Sequence, residues 1–465
     1  MGTELLAPLD LAFWHLESDA HPMHLGALAV FAPEPGRAPA PDDLLDLLGT
    51  RAAAIPRLRM RVRDVLLPVG GAAWSADKDF DVHRHVKRVQ LPLDTASAEG
   101  DGGFMAAATR LAGELMEQPL RRGLPPWQMY VLTGAPGGPF AVLVKLHHAL
   151  ADGMRAVAIG AGIFDEIASV AGRARSGAVP ARPRPVPPRS WMPGPRQVAG
   201  LALGRIEDLG RAFGVGASLV RASRIDLRGA PALSASSSGT RRLATADLDA
   251  EAVRLIRRAA GGTGNDILLA VVAGALRRWM LERGEPLPGA DPRALVPVSR
   301  RRPGGAAATG NRLSAYLLGL PVSEEDPWER LKAVRAAMDR NKAAGPLRGA
   351  GAVAVLADQL PSLAHRFGAP LAGSAARMLF DVLVTSVPLP RSALSLAGCP
   401  LRALYPMAPL ARGQSLAVAL TTYGSSVQIG LVADGRALPD LERLARCTEE
   451  EVAELLTLLP TGVGR

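Results

Sequence analysis

Two adjacent histidines followed by an aspartate and a glycine, His147-His148-Ala149-Leu150-Ala151-Asp152-Gly153, are the sharpest chemical feature of the chain. Histidine is the only side chain whose ordinary pKa lets it take up and return a proton near neutral pH, so the pair suits general acid–base work. Asp152, four positions after His148, is placed either to orient the imidazole or to anchor the loop. Gly153 supplies backbone angles that other residues resist. Two other readings compete: core histidines with a structural role, and a metal site built from His147, His148 and Asp152. The metal reading is the weakest, because neighbouring side chains diverge and the His-Glu-x-x-His type of spacing is absent. No metal is expected.

The elements around this stretch must hold it in place. Residues 140–146 (Phe-Ala-Val-Leu-Val-Lys-Leu) form a β-rich run that delivers the chain directly into His147, so the histidines stand where a strand ends and a loop or helix begins. A strand is expected over 25–31, and helices over 40–54, 104–116 and from 154 to about 170. The composition then changes sharply. Prolines crowd 173–196, which excludes a helix interior or a central strand and marks a linker. An amphipathic, Arg-edged pattern follows at 199–220, then a Ser-rich stretch at 234–239. Beyond it, strands are expected at 241–245, 294–298, 313–320, 382–385, 416–421 and 427–432, with helices at 249–260, 267–283 and 440–458. The pattern predicts α/β lobes at 1–172 and 241–465 joined by a Pro/Arg-rich linker and crossover at 173–240.

Composition narrows the function. The chain has 465 residues, 48% of them hydrophobic and only 4% aromatic, enough for more than one core built mostly of Leu, Val and Ala. A net charge of +10 fits an anionic partner such as a membrane surface or a phosphorylated cofactor. No zinc-finger spacing, RNA-binding signature or basic helix with interleaved aromatics is present, so no nucleic-acid partner is expected. Cys399 and Cys447, the two cysteines, are expected as small buried hydrophobes in a reducing compartment. The first residues lack the pattern of a signal peptide, and no apolar run reaches the roughly 18–20 residues that span a bilayer. A cytoplasmic protein is expected, with peripheral contact to an inner membrane or lipid droplets.

The stretch His147–Gly153 resembles the HHxxxDG motif of the chloramphenicol acetyltransferase-like superfamily. The rest of the chain resembles one branch of it, the bacterial wax ester synthase/diacylglycerol acyltransferase family. The segments that carry the likeness are Pro8-Leu9-Asp10, Pro22-Met23-His24-Leu25-Gly26, Asp79-Phe80-Asp81 and Pro125-Pro126-Trp127. Asn265-Asp266, Gly310-Asn311-Arg312-Leu313-Ser314 and Val384-Thr385-Ser386-Val387-Pro388 follow in the family's order. Pro126 stands where the family has Leu, and Pro388-Leu389-Pro390 where Pro-Gly-Pro is common.

The resemblance implies two chloramphenicol acetyltransferase-like α/β lobes with a tunnel and active site between them. It implies an O-acyltransferase that takes a long-chain acyl group from acyl-CoA, as co-substrate and without a bound cofactor, and gives it to a lipid alcohol. His148 would be the general base, His147 a supporting residue, and Asp152 a structural residue paired with an arginine. A second acyltransferase reading keeps the fold but changes the substrates to a secondary metabolite or a carrier-bound acyl group. A third, a lipid-binding protein without catalysis, sits poorly with the intact motif. The tetrahedral intermediate needs a donor to its oxyanion, and Asn265 is the leading candidate, against an equal alternative in which Asn265-Asp266 caps a helix. Ser386 or Thr385 is the next choice. Trp127 is expected either in the tunnel wall with Gly153 or, as buried Trp more often is, in the core.

Overall fold

The computed structural model describes residues 4–92, 101–165, 233, 237–299, 313–344, 379–390 and 392–459. Apart from 233 and 237–240, the expected linker with its 199–220 segment lies outside them.

The first lobe is built on a six-stranded sheet. Its members are β2 (His24–Phe31), β5 (Val86–Gln90), β6 (Trp127–Thr133) and β7 (Phe140–His147), with β12 (Ser395–Leu396) and β13 (Cys399–Met407) added from far along the chain. The order is β12-β13-β2-β7-β6-β5. A small second sheet joins β1 (Glu4–Leu5), β4 (Ala72–Ala76) and β3 (Met60–Asp64). Four helices accompany them: α1 (Pro8–Leu16), α2 (Pro41–Ala54), α3 (Asp101–Glu117) and α4 (Gly153–Gly160). Both α1 and α2 open with proline at the first helical position, where its missing N–H costs nothing, and Asp42 and Asp43 complement the α2 dipole.

The second lobe carries another six-stranded sheet, with β8 (Arg241–Asp249), β9 (Arg293–Ser299), β10 (Leu313–Gly319), β11 (Val382–Ser386), β14 (Leu416–Tyr423) and β15 (Ser426–Asp434) in the order β10-β9-β11-β14-β15-β8. Helices α5 (Ala250–Ala260), α6 (Gly264–Glu282), α7 (Pro327–Ala344) and α8 (Leu441–Thr457) cover it. Helix α6 is buried from Asp266 through Leu276, which is why its sequence is apolar all round rather than striped. Among the described residues no single helix is long and apolar enough to cross a membrane; α5 and α6 pass that test only as a pair bent by 103°.

Each lobe has its own apolar core, and a third joins them. It contains Leu28 and Leu143 of the first sheet, Ala108 and Ala112 of α3, and Leu243, Ala417, Ala419 and Val432 of the second sheet. Strand β7 is therefore buried on both faces, with Val142 and Leu146 turned to one core and Ala141 and Leu143 to the other.

The expected strands and helices are present within the described residues, except that the helix expected from 154 to about 170 stops at Gly160 and turns through 161–164, and a boundary drawn in sequence does not coincide with the one in space. Strand β13 belongs to the first sheet, pairing antiparallel with β2 so that Tyr405 faces Leu28 and Met407 faces Gly26. It also passes directly beneath β15 of the second sheet. A Cβ placed on Gly430 would lie 2.0 Å from the Pro406 carbonyl oxygen, so only glycine allows this approach. Gly430→Ala is expected to force the lobes apart and cost roughly 1–3 kcal/mol in a denaturant titration.

Candidate active site

The end of β7 is fixed from both sides. The His147 N–H donates to the Pro126 carbonyl at 3.0 Å and the His148 N–H to the Met23 carbonyl at 2.8 Å, so both flanking segments hold it. The Leu150 and Ala151 N–H groups turn back to the His147 carbonyl at 2.8 and 3.3 Å, closing a tight turn. Behind it, buried Lys145 donates to the Leu115 and Gln118 carbonyls at 2.6 and 2.7 Å, while His24 Nε2 bonds the Met116 carbonyl at 2.8 Å. These side chains satisfy the orphan carbonyls at the end of α3 and clamp it to the sheet. Burial pushes the Lys145 ammonium down to about 7.

Neighbouring residues in extended chain point to opposite faces, and the two histidines part accordingly. His147 is fully buried and committed. Its Nδ1 accepts from the Ala149 N–H at 3.0 Å, so the ring proton sits on Nε2, which lies 3.4 Å from Glu17 Oε1. Glu17 also receives the Met23 N–H and Arg122 Nη2, each at 3.4 Å. Burial raises the Glu17 pKa, but the contacts with His147, Arg122 and Met23 outweigh it and hold the carboxyl below its usual value. Trp14 meets the His147 ring edge-on at 5.0 Å and carries the Arg122 guanidinium on its own face at 4.5 Å.

His148 turns the other way. Its ring stacks on Phe13 at 3.9 Å with 17° between the planes, and it lines a cavity of about 1270 Å³, counting the open mouth. Burial pushes the imidazole pKa down to about 4. The cavity lies between the lobes: β2, β7 and α4 form one wall, and Pro297, Leu383, Thr385 and Ala419 of the second sheet belong to the other. Among the described lining residues, only His148 and Thr385 carry polar side chains. The arrangement is one histidine in the wall of a largely apolar chamber.

Asp152 is buried and caps α4, its carboxylate accepting from the Arg155 N–H at 2.8 Å. The interaction is a support for the loop, not a contact with the cavity. Gly153 lines the cavity, but not for the reason its residue type suggested. Its φ is ordinary, and a Cβ there would stand 3.5 Å from Val387 and narrow the chamber.

Three expected site residues lie elsewhere. Trp127 is 1% exposed, stacks on His85 at 4.5 Å and donates Nε1–H to the Leu58 carbonyl at 2.6 Å, so it is a core residue and not part of the cavity wall. Asn265 is half-buried in the first turn of α6 and does not line the cavity. That helix end is closed by a capping box in which Thr263 is the N-cap and Asp266 reaches back to its N–H, so Asn265 takes no part in the capping. Ser386 is exposed, because β11 alternates and puts Leu383 and Thr385 into the cavity instead. Cys399 and Cys447 are both buried, as expected. Sequence reasoning missed Glu17, Phe13 and Arg122, although Phe13 and Glu17 lie close after the Pro8-Leu9-Asp10 segment that carried part of the likeness.

Two six-stranded sheets with a histidine-lined cavity between them form a fold of the chloramphenicol acetyltransferase-like type. The chain belongs to the wax ester synthase/diacylglycerol acyltransferase family: its catalytic-domain pattern matches residues 6–268 and its C-terminal-domain pattern residues 309–456. A probable diacylglycerol O-acyltransferase of Mycobacterium tuberculosis is 30% identical over 463 residues, covering 97% of this chain and 96% of the relative. A second from the same species is 30% identical over 468 residues, covering 97% and 98%. The wax ester synthase/diacylglycerol acyltransferase of Marinobacter aquaeolei shares the fold with a TM-score of 0.68 at 24% identity, covering 97% of this chain and 99% of that one. A condensation domain of the calcium-dependent antibiotic synthetase shares it at 0.59 and 18% identity, covering 99% and 98%.

Glu17→Gln keeps the shape of the side chain and removes the charge beside His147. A hydrogen bond to a charged group is worth about 1.5–3 kcal/mol, so turnover is expected to fall roughly 10- to 100-fold, with circular dichroism unchanged.

Proposed function

We propose that this acyltransferase moves a long-chain fatty acyl group from acyl-CoA to the hydroxyl of a diacylglycerol or a long-chain alcohol, giving triacylglycerol or a wax ester. The observation that carries the reading is the apolar cavity with His148 in its wall. An alkyl chain of substrate replaces water there, and the imidazole meets the one polar group that must react. The names of the mycobacterial relatives supply diacylglycerol as the first acceptor to try.

In this mechanism His148 takes the proton of the acceptor hydroxyl as its oxygen attacks the thioester carbonyl. The C–S bond of the tetrahedral intermediate then breaks, and the imidazolium returns the proton to the departing CoA thiolate. No acyl-enzyme forms and no metal or bound cofactor takes part. Phe13 holds the ring in plane by stacking, while His147, Glu17 and Asp152 fix the turn that presents it. Thr385 is the proposed donor to the oxyanion, in place of Asn265, because its side chain is in the cavity. The substrates and product are lipids, so the proposal includes peripheral contact with a membrane or droplet surface on the cytoplasmic side.

The test supplies purified protein with palmitoyl-CoA and either dioleoylglycerol or hexadecanol, and follows CoA release. His148→Ala is expected to lower the rate by roughly 10²- to 10⁴-fold. Folded wild-type protein that releases no CoA with either acceptor, yet works with a carrier-bound acyl group, would sink the reading. The pH profile gives an independent check. A folded-state pKa lowered to about 4 leaves the imidazole neutral and receptive above that value. The acid limb of kcat/KM is therefore expected well below the usual histidine range, and a midpoint near 6.5 would contradict it.

A further inference from the structure

The strand register shows where the cavity stops. Leu25, Ala27 and Ala29 of β2 share one face and line it, and on β7 Leu146 and Val144 stand beside the first two. The next rung on that face is Phe31 beside Phe140, and neither lines the cavity. Both are buried, with their rings stacked at 5.1 Å. His148 lies at the other extreme, one residue past the His147–His24 pair. Leu25 to Ala29 spans about 13 Å at roughly 3.3 Å per residue, which sets the depth measured from the base. Helix α4 is the facing wall, from Gly153 beside Val387 to Gly160 at the deep end.

Phe164 closes that end. Beyond Gly160 the chain tightens, and the Ile163 and Phe164 N–H groups both bond the Gly160 carbonyl, at 2.9 and 3.0 Å. The turn brings the Phe164 ring back against α4, where a Cβ on Gly160 would stand 3.6 Å from it, and to 5.9 Å from the Phe31 ring. The residues on either side pin it. Asp165 accepts from Arg51 Nη2 at 2.6 Å, from the Gly398 N–H at 2.9 Å and from the Ser395 hydroxyl at 3.2 Å. Arg51 also donates to the Ile163 carbonyl. Helix α2 and the β12–β13 hairpin thus hold 163–165 together, and the ring cannot swing aside without breaking that set of bonds.

The deep end offers an occupant no hydrogen bond from a side chain. Ala27, Ala29, Val144, Leu404, Gly160 and Phe164 are all apolar. Alanine at 27 and 29 leaves open the space that Leu at either position would fill. A blind, apolar slot with a proton acceptor at its mouth and a fixed ring at its end suits a straight alkyl chain.

We propose that Phe164 is the residue that sets alkyl-chain length, with Ala27 and Ala29 keeping the slot open in front of it. The inference rests on the acyl-transfer reading, since the chain is that of the acyl donor or of the alcohol. The test measures kcat/KM for acyl-CoAs from butyryl to stearoyl with one short alcohol, and for alcohols from butanol to octadecanol with one short acyl-CoA. Whichever series responds identifies the chain that fills the slot. Ala29→Leu is expected to lower kcat/KM for the longest chain that wild type handles well by about tenfold or more, and to leave the shortest within about twofold. Ala27→Leu, about 7 Å nearer the base, extends the loss to shorter chains. Phe164→Ala is expected to raise the ratio of long-chain to short-chain kcat/KM by about tenfold. Deleting a buried ring also destabilises, so the two filling variants carry the test if that protein does not fold. Calorimetric binding of the same acyl-CoAs and alcohols to wild type gives a readout without turnover. Affinity is expected to climb with each added methylene and then stop climbing. Loss that is uniform across chain lengths in the filling variants overturns the proposal, as does wild-type affinity that climbs unbroken to the longest chains of both series. A protein whose binding shows the length limit, shifted by these substitutions, but which transfers no acyl group supports the stop and counts only against the acyl-transfer reading. Active wild type with variants of unchanged length profile does the reverse.

Discussion

The hydrogen bond from the Ala149 N–H to His147 Nδ1 sets the rest of the site in order. It occupies the only nitrogen of that ring able to accept, and so sends the ring proton to Nε2, toward Glu17. Glu17 is thereby held with Arg122 and the Met23 N–H, and the end of α1 is held with it. Helix α1 then has one place for Phe13, flat against His148. Two identical side chains next to each other in the chain thus acquire different work. One spends both nitrogens on structure, and the other faces the cavity.

That cavity asks for a compromise. Its apolar walls suit an acyl chain and exclude water, which strengthens every charge interaction inside. The same walls disfavour the imidazolium and lower the proton affinity of His148. The deficit is smallest when it matters, because the oxyanion of a tetrahedral intermediate would place negative charge beside the ring as the proton arrives. A base that is weak in the empty site and strengthened by the reaction itself is a reasonable arrangement where acceptor and donor are both oily.

Much of this was legible in the residues. The strand that ends in His147, the buried helix 264–282 and β14 of the second sheet follow from continuous apolar runs bounded by turn residues. The seven residues from His147 to Gly153 pointed to proton transfer before any fold was known. What escaped were contacts made across the chain. Phe13 lies on α1 and Glu17 at its C-terminal end, and nothing local says that one face of this segment meets a histidine pair. Trp127 misled because a large aromatic serves a core and a tunnel equally well until its Nε1 finds a partner, here Leu58. Thr385 and Ser386 differ only in parity, and parity is fixed by which face of β11 the sheet turns inward. Asn265 stood beside a helix start whose cap was drawn by Thr263 and Asp266.

Strand β13 carries a consequence for the order of assembly. Until Cys399–Met407 is available, β2 has no partner on one side, and the first sheet ends in an open edge directly beside the cavity wall. A chain made from its N-terminus therefore holds both histidines long before it has a chamber to put them in. The reactive pocket closes in one of the last steps of synthesis, when the strand arrives that stitches the halves together. Until then an incomplete enzyme has no enclosed site in which to hold a lipid.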